Sequence, residues 1–347
     1  MLKVGIAGFG FMGRMHYKCW KALDGVEIVA LCDSNPNIVD AAAKAIGNIE
    51  GADAVAEISG VAIFADFDEM LRETQPDAIS LTLPTYLHAD YSIKALESGV
   101  HVLCEKPMAL SVHDCERMTA AAKSTGKTLQ IGHCIRFWPE YVTAKQIVDS
   151  GRYGKVIAAT FQRLASAPTW SHDNWFLDEK LSGGMALDLH IHDTDFVQYL
   201  FGVPLAVCSF GARGSRGGPS GAGSTDLTHI VTQYIYDDEK VVTAEGSWAM
   251  MPGFGFEMSF NIILEEATIV YDLTRSPMLK LYPEQGPLIA PEVPQGDGYS
   301  RQIHHFASLI RGENVPPVTT LEQSLNSVKI VEAEKESASR KQQIPLK

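Results

Sequence analysis

Short apolar runs alternate with stretches of helical hydrophobic spacing along the N-terminal part of the chain. Near-continuous apolar runs separated by helices are typical of a parallel sheet that is covered on both faces. The predicted strands are Leu2–Ala7, Val26–Cys32, Ala78–Leu83, Val100–Cys104 and Thr128–Ile131. The helices predicted between them are Met12–Leu23, Asp40–Ile46, Ala89–Ser98 and Val112–Ser124. We therefore predict an α/β fold whose first part is a doubly wound parallel sheet.

The pattern changes after a predicted helix at Pro139–Ser150, because the strand-like runs become longer and lie closer together. These predicted strands are Val156–Leu164, Ala206–Ala212, Thr228–Tyr236, Val241–Trp248, Glu257–Leu264 and Thr268–Leu273. The turn Tyr236–Lys240 indicates a hairpin, so we expect a mostly antiparallel sheet. Further helices are predicted at Tyr299–Leu309 and Leu321–Ser339. The glycine-rich segment 211–224 is predicted to be a mobile loop.

Composition and charge narrow the classes of partner. The 347 residues carry a formal net charge of -13 with a pI near 5.3, so we expect no nucleic acid and no anionic membrane as a partner. No apolar run approaches the roughly 20 residues that span a bilayer, and the N-terminus has glycines where a signal peptide is apolar. The six cysteines are scattered without a CxxC pair, which favours reduced thiols. We therefore expect a cytoplasmic location.

A glycine motif follows the first predicted strand. Gly8, Gly10 and Gly13 fit G-x-G-x-x-G between a strand and a helix, which is the setting in which this pattern binds a dinucleotide. The first glycine permits a tight turn, the second leaves room for the pyrophosphate, and the third lets helix and strand pack closely. The helix N-terminus then offers free N–H groups and a partial positive charge to the phosphates.

An acidic residue follows at the spacing that this motif requires. Asp33 lies at the end of the second predicted strand. A carboxylate there accepts hydrogen bonds from the adenosine ribose and repels a 2′-phosphate. We therefore expect NAD as the cofactor, although the cationic Arg14 beside the glycine motif leaves NADP open.

Three further motifs occur in the order found in a known family. They are Thr82–His88 (TLPTYLH), Gly99–Pro107 (GVHVLCEKP) and Gly183–Asp193 (GGMALDLHIHD). Together with the glycine motif, they resemble segments of the glucose–fructose oxidoreductase, inositol dehydrogenase and MocA-like (Gfo/Idh/MocA) family, namely T-x-P-x-x-x-H, G-x-x-V-x-x-EKP and GG-x-x-x-D-x-x-x-H-D. The resemblance covers nearly the whole chain, and EKP combined with D-x-x-x-H is specific.

This resemblance implies a Rossmann domain, residues 1–132, and an α/β domain for substrate binding and oligomerisation, residues 133–347, built on a large open sheet. The exposed face of that sheet commonly makes dimers or tetramers in the family, so a homodimer or homotetramer is expected. Lys106, Asp188 and His192 match the family's catalytic lysine, aspartate and histidine. The predicted cofactor contacts are Gly8, Gly10, Phe11, Met12, Gly13, Asp33, Thr82, Pro84, His88, Glu105 and Lys106.

The three matched side chains suit the oxidation of an alcohol. The cofactor takes the hydride, so the protein must take the hydroxyl proton, and His192 is a residue type that titrates near neutrality. Asp188 lies on the same helical face, where it can contact substrate or bias the imidazole. Lys106 ends a strand at the edge where ligands bind, and an ammonium there stabilises charge on the reacting oxygen. The sequence leaves open whether Lys106 or His192 moves the proton.

Other side chains have less certain roles. Arg136, Trp170, Trp175 and His192 are candidate substrate contacts, because aromatic faces suit sugar C–H surfaces, although a tryptophan is more often part of a core. His190 stands where members of the family that the chain resembles usually have a small residue, so it narrows a pocket, touches substrate or points into the core. No metal is expected, because His190 and His192 would point about 200° apart on a helix.

The sequence thus predicts an NAD(P)-dependent oxidoreductase that acts on a secondary alcohol or ketone of a sugar, polyol or inositol. Two alternatives remain open. Some relatives use bound NAD to cleave a glycosidic bond or eliminate water without net redox change. Another relative is a galactose-regulon repressor that binds a dinucleotide as a non-catalytic sensor. The presence of Lys106, Asp188 and His192 argues against a sensor.

Overall fold

The structure, a computed structural model, describes residues 1–35, 58, 60–169, 171–214 and 226–346. These form two compact units, Met1–Cys134 with Asp297–Leu325, and Ile135–Gly296 with Asn326–Lys347. The domain boundary after residue 132 stays a prediction. In the structure, residues 297–325 group with the first unit. The predicted helix Asp40–Ile46 and the candidate Trp170 lie outside the described residues.

Six strands form a parallel sheet in the first unit. They are β1 (Leu2–Ala7), β2 (Val26–Cys32), β3 (Ala62–Phe64), β4 (Ala78–Leu81), β5 (His101–Glu105) and β6 (Leu129–Gly132). Their order is β3-β2-β1-β4-β5-β6, and every pair is parallel. The predicted parallel sheet is confirmed. The strand order reverses between β1 and β4, and open sheets of this kind bind ligands at the carboxyl ends of the strands beside such a reversal.

Eight strands form the sheet of the second unit. They are β7 (Val156–Ser166), β8 (Ala206–Arg213), β9 (Leu227–Ile235), β10 (Val241–Met250), β11 (Phe256–Leu264), β12 (Ala267–Asp272), β13 (Leu279–Pro283) and β14 (Ile344–Pro345). The order is β13-β12-β11-β7-β10-β9-β8-β14. Only β7 and β10 pair in parallel among these strands, so the predicted mostly antiparallel sheet is confirmed. The predicted loop 211–224 needs correction at its start, because Gly211–Arg213 continue β8, and residues 215–225 lie outside the described part.

The structure contains the predicted helices that fall on described residues, and two more at Phe67–Thr74 and Glu179–Ser182 that were not predicted. The α-helices are α1 (Phe11–Lys21), α2 (Phe67–Thr74), α3 (His88–Glu97), α4 (Val112–Thr125), α5 (Pro139–Asp149), α6 (Glu179–Ser182), α7 (Ile191–Phe201), α8 (Gly298–Ile310) and α9 (Leu321–Arg340). A π-helical segment, Ala186–His190, precedes α7 directly. No described helix is long and apolar enough to cross a membrane.

Helix α8 brings a distant part of the chain back to the first unit. It begins with a capping box, in which Asp297 accepts from the Ser300 N–H and the Ser300 hydroxyl accepts from the Asp297 N–H. Its Phe306 meets Trp20 of α1 edge to face, with ring centroids 6.2 Å apart. Both rings are buried, so this contact supports the docking of α8 on α1.

The two faces of the large sheet differ in burial. One face carries the buried side chains of Phe161, Phe260 and Tyr234, and α7 packs over β7 and β10. Tyr141 of α5 adds an edge contact to Phe260 at 5.0 Å between centroids. The alternation of side chains along each strand leaves the other face without such a cover among the described residues.

Candidate active site

The glycine motif forms the turn between β1 and α1. Gly8 has φ +83°, and a Cβ there would lie 2.6 Å from the carbonyl oxygen of Thr82. A Cβ on Gly13 would lie 2.1 Å from the carbonyl oxygen of Gly8, so any larger residue would push helix and strand apart. At Gly10, by contrast, a Cβ would have no described atom within 4 Å. The first and third glycines are therefore required by packing, and the second borders open space that suits a phosphate.

The N-terminus of α1 is equipped to bind an anion. Gly10 caps the helix, no described side chain caps it by a hydrogen bond, and the first turn carries no acidic residue. Phe11 and Met12, predicted cofactor contacts, are partly buried there. Free N–H groups at a helix N-terminus bind phosphate. This arrangement fits the pyrophosphate of a dinucleotide.

Asp33 is fixed beside the glycine turn. Its Oδ2 accepts the Phe9 N–H at 2.7 Å, and its Oδ1 accepts the Asn35 N–H at 2.9 Å. The carboxylate therefore stands at the carboxyl end of β2 in a defined orientation. Arg14, which left NADP open, is 2% exposed, and burial lowers the pKa of its guanidinium. A side chain buried to that degree is a poor cation for a solvent-facing 2′-phosphate.

The end of β4 is tied to the same turn. The Thr82 hydroxyl donates to the carbonyl oxygens of Ala7 and Gly8 at 3.1 and 2.5 Å. Pro84 follows, partly buried, at the start of a short 3-10 helix. These contacts place the first residues after β4 against the predicted cofactor turn, as expected for residues that border a bound dinucleotide.

His88 joins two loops of the first unit. Its Nδ1 lies 2.8 Å from the carbonyl oxygen of Pro107, and its Nε2 lies 2.8 Å from that of Leu83. Burial lowers the pKa of the imidazole, although both carbonyl contacts act in the opposite direction. Because both ring nitrogens face the main chain and the ring is buried, this geometry favours a structural role over the predicted direct contact with cofactor.

Lys106 projects from a buried segment. Along residues 102–109 every residue except Lys106 is buried. Its main-chain N–H donates to Oε2 of Glu105 at 3.2 Å, and Glu105 is itself only 6% exposed. The end of β5 therefore presents the side chain of Lys106 and keeps that of Glu105 inside. The predicted cofactor contact at Glu105 has no direct support from this placement.

Asp188 and His192 stand out in the same way in the second unit. Along residues 182–198, all of them described, these two are the partly exposed residues and the rest are buried. Asp188 lies within the π-helical turn Ala186–His190, and His192 lies in the first turn of α7, which begins at Ile191. Such turns often occur at functional sites, because they change the direction of side chains along a helix. The two predicted catalytic residues are thus the accessible ones.

The residues that follow His192 are firmly anchored. Arg163 makes a two-fold contact with Asp193, at 2.8 and 3.0 Å. The Thr194 hydroxyl donates to Glu334 at 3.1 Å. All four of these anchoring side chains are buried, so the start of α7 has little freedom to move. The position of His192 is fixed as a result.

Arg136, a predicted substrate contact, lies in a buried ion pair. Its Nε and Nη2 donate to the two carboxylate oxygens of Asp195, both at 2.8 Å, and its guanidinium lies 4.4 Å from the centre of the Tyr199 ring. The side chains of Arg136 and Asp195 are 0% and 1% exposed. This placement favours a structural ion pair over the predicted substrate contact. The pairing could not be predicted from the sequence, because Asp195 is distant from Arg136 along the chain.

We expect Arg136→Met to destabilise the protein by about 3–5 kcal/mol, because the carboxylate of Asp195 would stay buried without its cation. Chemical denaturation of both proteins measures this difference. Arg275→Met is the matched control, since Arg275 is 64% exposed in its pair with Asp272 and should change stability by less than about 1 kcal/mol. Equal effects of the two substitutions would contradict the prediction.

His190 points into the core, which answers the question left by the sequence. It is 0% exposed, and its Nε2 lies 3.5 Å from Oε2 of Glu334, also 0% exposed. Its ring packs against Gly246 of β10, where an added Cβ would lie 2.8 Å from the His190 Nδ1. His190 therefore does not narrow a pocket, and Gly246 provides the room for it.

Trp175 stays a candidate substrate contact. It stacks on Phe176 with centroids 4.1 Å apart, and Phe176 packs against a buried apolar cluster of the second unit. Trp175 itself is only partly buried. An aromatic ring anchored on one side and accessible on the other suits the C–H surface of a sugar.

Comparison with family models matches both parts of the chain. Residues 2–133 match the model GFO_IDH_MocA, described as "Oxidoreductase family, NAD-binding Rossmann fold". Residues 141–270 match the model GFO_IDH_MocA_C3, a "GFO/IDH/MocA C-terminal domain". The two matches together cover most of the chain in the expected order.

Individual relatives agree with the family models. A scyllo-inositol 2-dehydrogenase (NAD(+)) of Bacillus subtilis is 26% identical over 331 residues, which cover 94% of this chain and 91% of that protein. A 2,7-anhydro-N-acetylneuraminate hydratase of Mediterraneibacter gnavus is 29% identical over 70% of this chain, and the match covers 60% of that protein's length. A levoglucosan dehydrogenase, solved with NADH and levoglucosan, is 20% identical with a TM-score of 0.83 and 99% of each chain covered, which shows the shared fold.

Proposed function

This chain belongs to the GFO/IDH/MocA family of NAD-binding oxidoreductases, and we propose that it transfers a hydride between NAD and a secondary alcohol or ketone of a sugar, polyol or inositol. One observation carries the proposal. In two segments that are otherwise buried, the accessible side chains are Lys106 in the first unit and Asp188 and His192 in the second. Lysine, aspartate and histidine are residue types that serve as acid, base or electrostatic groups in catalysis.

Each of these groups has a distinct task in the proposed reaction. Bound NAD supplies the hydride acceptor. The ammonium of Lys106 donates a hydrogen bond to the reacting oxygen and stabilises the negative charge that develops there. The imidazole of His192 accepts the hydroxyl proton, and Asp188 orients the imidazole or holds the substrate. Lys106 remains the second candidate for the proton transfer itself.

The experiment that tests this function is a substrate panel. The purified protein is incubated with inositols, aldoses, glycosides and sugar acids in the presence of NAD or NADP, and reduced cofactor is followed by absorbance. We expect net NADH formation with at least one polyol or sugar. Binding of NADH without turnover of any panel member in either direction would contradict the proposal.

A second function is favoured by one comparison. The relative from Mediterraneibacter gnavus is named as a hydratase, and the hydration of a substrate involves no net redox change. Product analysis by mass spectrometry on the same panel separates the two functions. Altered sugar without net NADH would support elimination or hydration, whereas a stoichiometric oxidised sugar and NADH support dehydrogenation.

The preference for NAD depends on Asp33. We expect Asp33→Ala to lower kcat/KM with NAD by about 10- to 100-fold, because charge-assisted hydrogen bonds to the ribose contribute about 1.5–3 kcal/mol. The kcat/KM ratio of NAD to NADP should fall at the same time, since the repulsion of a 2′-phosphate is lost. Asp90→Ala is the control, as the Asp90 side chain is 65% exposed on α3. An unchanged cofactor ratio in Asp33→Ala would contradict the assignment.

We also propose that a second copy of the chain covers the open face of the large sheet. Phe210, Val231 and Val241 are 65%, 38% and 49% exposed, and paired strands place them on the same face with Glu245. Exposed apolar side chains on one sheet face support an interface. We expect a dimer or tetramer by light scattering, and a smaller species for Val231→Lys. A wild-type monomer at micromolar concentration would contradict this interface.

We also propose a cytoplasmic location. All six cysteines are free thiols, as is usual in a reducing compartment. Cell fractionation tests the location directly.

A further inference from the structure

A chain of buried polar contacts leads to Glu105, the residue that precedes Lys106. Nε2 of His16 lies 3.0 Å from Oε1 of Glu105, and its Nδ1 lies 3.1 Å from the hydroxyl oxygen of Ser80. Nε1 of Trp20 donates to the same hydroxyl oxygen at 2.8 Å. His16, Ser80 and Trp20 are 0% exposed. None of these three side chains is reachable by a ligand, so their arrangement serves the residues that they hold.

We propose that His16 is a positioning residue for the reaction proposed above. Through Glu105 it fixes the carboxyl end of β5, from which Lys106 projects. This inference rests on the proposed function for its meaning, because a fixed lysine matters only where Lys106 meets the reacting oxygen. It adds a residue that the sequence motifs did not mark as part of the site.

The geometry determines how the chain of contacts runs. An ionised carboxylate can only accept hydrogen bonds, so Nε2 of His16 is protonated and donates a hydrogen bond to Glu105. The second ring nitrogen faces the Ser80 hydroxyl, which also receives the indole N–H of Trp20. Each ring nitrogen of His16 therefore has a defined partner, and the imidazole has a single orientation between α1 and the sheet.

Glu105 connects the side chain of His16 to the main chain of Lys106. Its Oε1 receives His16, while its Oε2 accepts the main-chain N–H of Lys106 at 3.2 Å. Gly132 of the neighbouring strand β6 leaves the space for this carboxylate, since a Cβ there would lie 2.7 Å from Oε1. One carboxylate thus links a side chain of α1 to the main chain of the proposed catalytic lysine.

The charge of Glu105 depends on the same partner. Burial alone would raise the pKa of this carboxyl, but the hydrogen bond and charge of His16, together with Lys106 and His88, hold it below its ordinary value. Loss of the His16 donor would leave a buried carboxylate with one partner fewer, which the segment can relieve only by moving or by taking up a proton. Either response changes the surroundings of Lys106.

Two substitutions of His16 separate positioning from simple packing. We expect His16→Phe, which keeps a ring but loses the donor, to lower kcat about 100-fold, the effect of a displacement near 1 Å at a reacting group. His16→Gln keeps an amide N–H for Glu105 and should recover most of that loss. KM for the sugar and the Kd for NADH should stay within about threefold of wild type in both, because binding is not the affected step. His113→Phe on the exposed surface of α4 is the matched control and should be unchanged.

A second readout does not depend on any substrate. Modification of Lys106 by trinitrobenzenesulfonate, quantified by peptide mass spectrometry, should change severalfold in rate in His16→Phe and return towards wild type in His16→Gln. The exposed Lys94 serves as internal reference. If wild type turns over no sugar, the proposed function fails while this measurement still tests the positioning of Lys106.

The outcomes are distinct. A His16→Phe protein with wild-type kcat and wild-type Lys106 reactivity overturns the proposal, as does equal loss in the Phe and Gln variants without any change at Lys106. Should His16→Phe fail to fold by circular dichroism, Ser80→Ala and Trp20→Phe replace it. These remove one link each and are expected to reduce kcat about 3- to 10-fold through the loss of a single hydrogen bond, and no change in either variant overturns the proposal.

Discussion

Replacing Lys106 by alanine is expected to lower kcat/KM for the oxidation of the sugar or polyol about 100- to 1,000-fold, the usual loss when a preorganised donor to a developing oxyanion is removed. The physical reason is the position of the ammonium, which projects from a segment that is otherwise buried. Steady-state kinetics with the best substrate of the panel measure the effect. NADH fluorescence titration should show binding within about tenfold of wild type, because phosphates and ribose are held elsewhere.

The control for this result is Lys106→Arg. Arginine keeps the positive charge but places it on a larger, planar group, so we expect a partial loss of activity rather than a complete one. Lys94→Ala, at an exposed ion pair with Asp68, should have no effect on kcat. Retention of more than a tenth of wild-type kcat/KM in Lys106→Ala would show that Lys106 does not contact the reacting oxygen.

Replacing His192 by alanine is expected to lower kcat for alcohol oxidation by about 100- to 10,000-fold, the range measured for general bases. A base must be deprotonated to accept a proton, so wild-type kcat should rise with pH through the ionisation of a histidine. In His192→Ala this rise should disappear, and added imidazole should restore part of the rate. Profiles of kcat against pH for both proteins provide the test.

Two comparisons make the result interpretable. His304→Ala removes an exposed histidine and should leave the profile unchanged. Asp188→Asn should shift the profile or raise KM, depending on whether Asp188 orients the imidazole or binds substrate. If His192→Ala keeps the wild-type pH profile, the proton acceptor is another group, and Lys106 becomes the candidate.

Much of the fold could be predicted because the buried strands of a parallel sheet appear in the local sequence as continuous apolar runs. The run Ala78–Leu81 is buried at every position, and the apolar ends of β1 and β2 are buried as well. Such continuous apolar runs distinguish strands covered on both faces from strands with one wet face. In β9 and β11, by contrast, buried and exposed positions alternate along much of each strand, as in strands with one wet face.

Contacts between distant segments could not be predicted in the same way. Helix α8 was expected from its spacing, but its docking on Trp20 depends on a ring contact with Phe306 that no local pattern encodes. The strand Ala62–Phe64 is too short to produce a period. Parallel pairing of β7 with β10 joins strands far apart in sequence, and hydrophobic spacing says nothing about such partners.

The candidate site shows the same difference between residues in local motifs and residues with distant partners. Lys106, Asp188 and His192 lie in recognisable motifs, and the structure finds them at the accessible positions of buried segments. The ion pair of Arg136 and the contacts of His16 could not be predicted for one reason: the role of a buried polar residue depends on its partner. Their partners, Asp195 and Glu105, are far away in sequence. A polar residue in an apolar stretch does not indicate which distant residue it will contact.

The fit between His190 and Gly246 couples the residue types that the two positions accept. A residue with a β-carbon at 246 would overlap the imidazole of His190, whereas a smaller residue at 190 would leave a modest void beside Gly246. Neither position can therefore change its residue type without affecting the packing of the other.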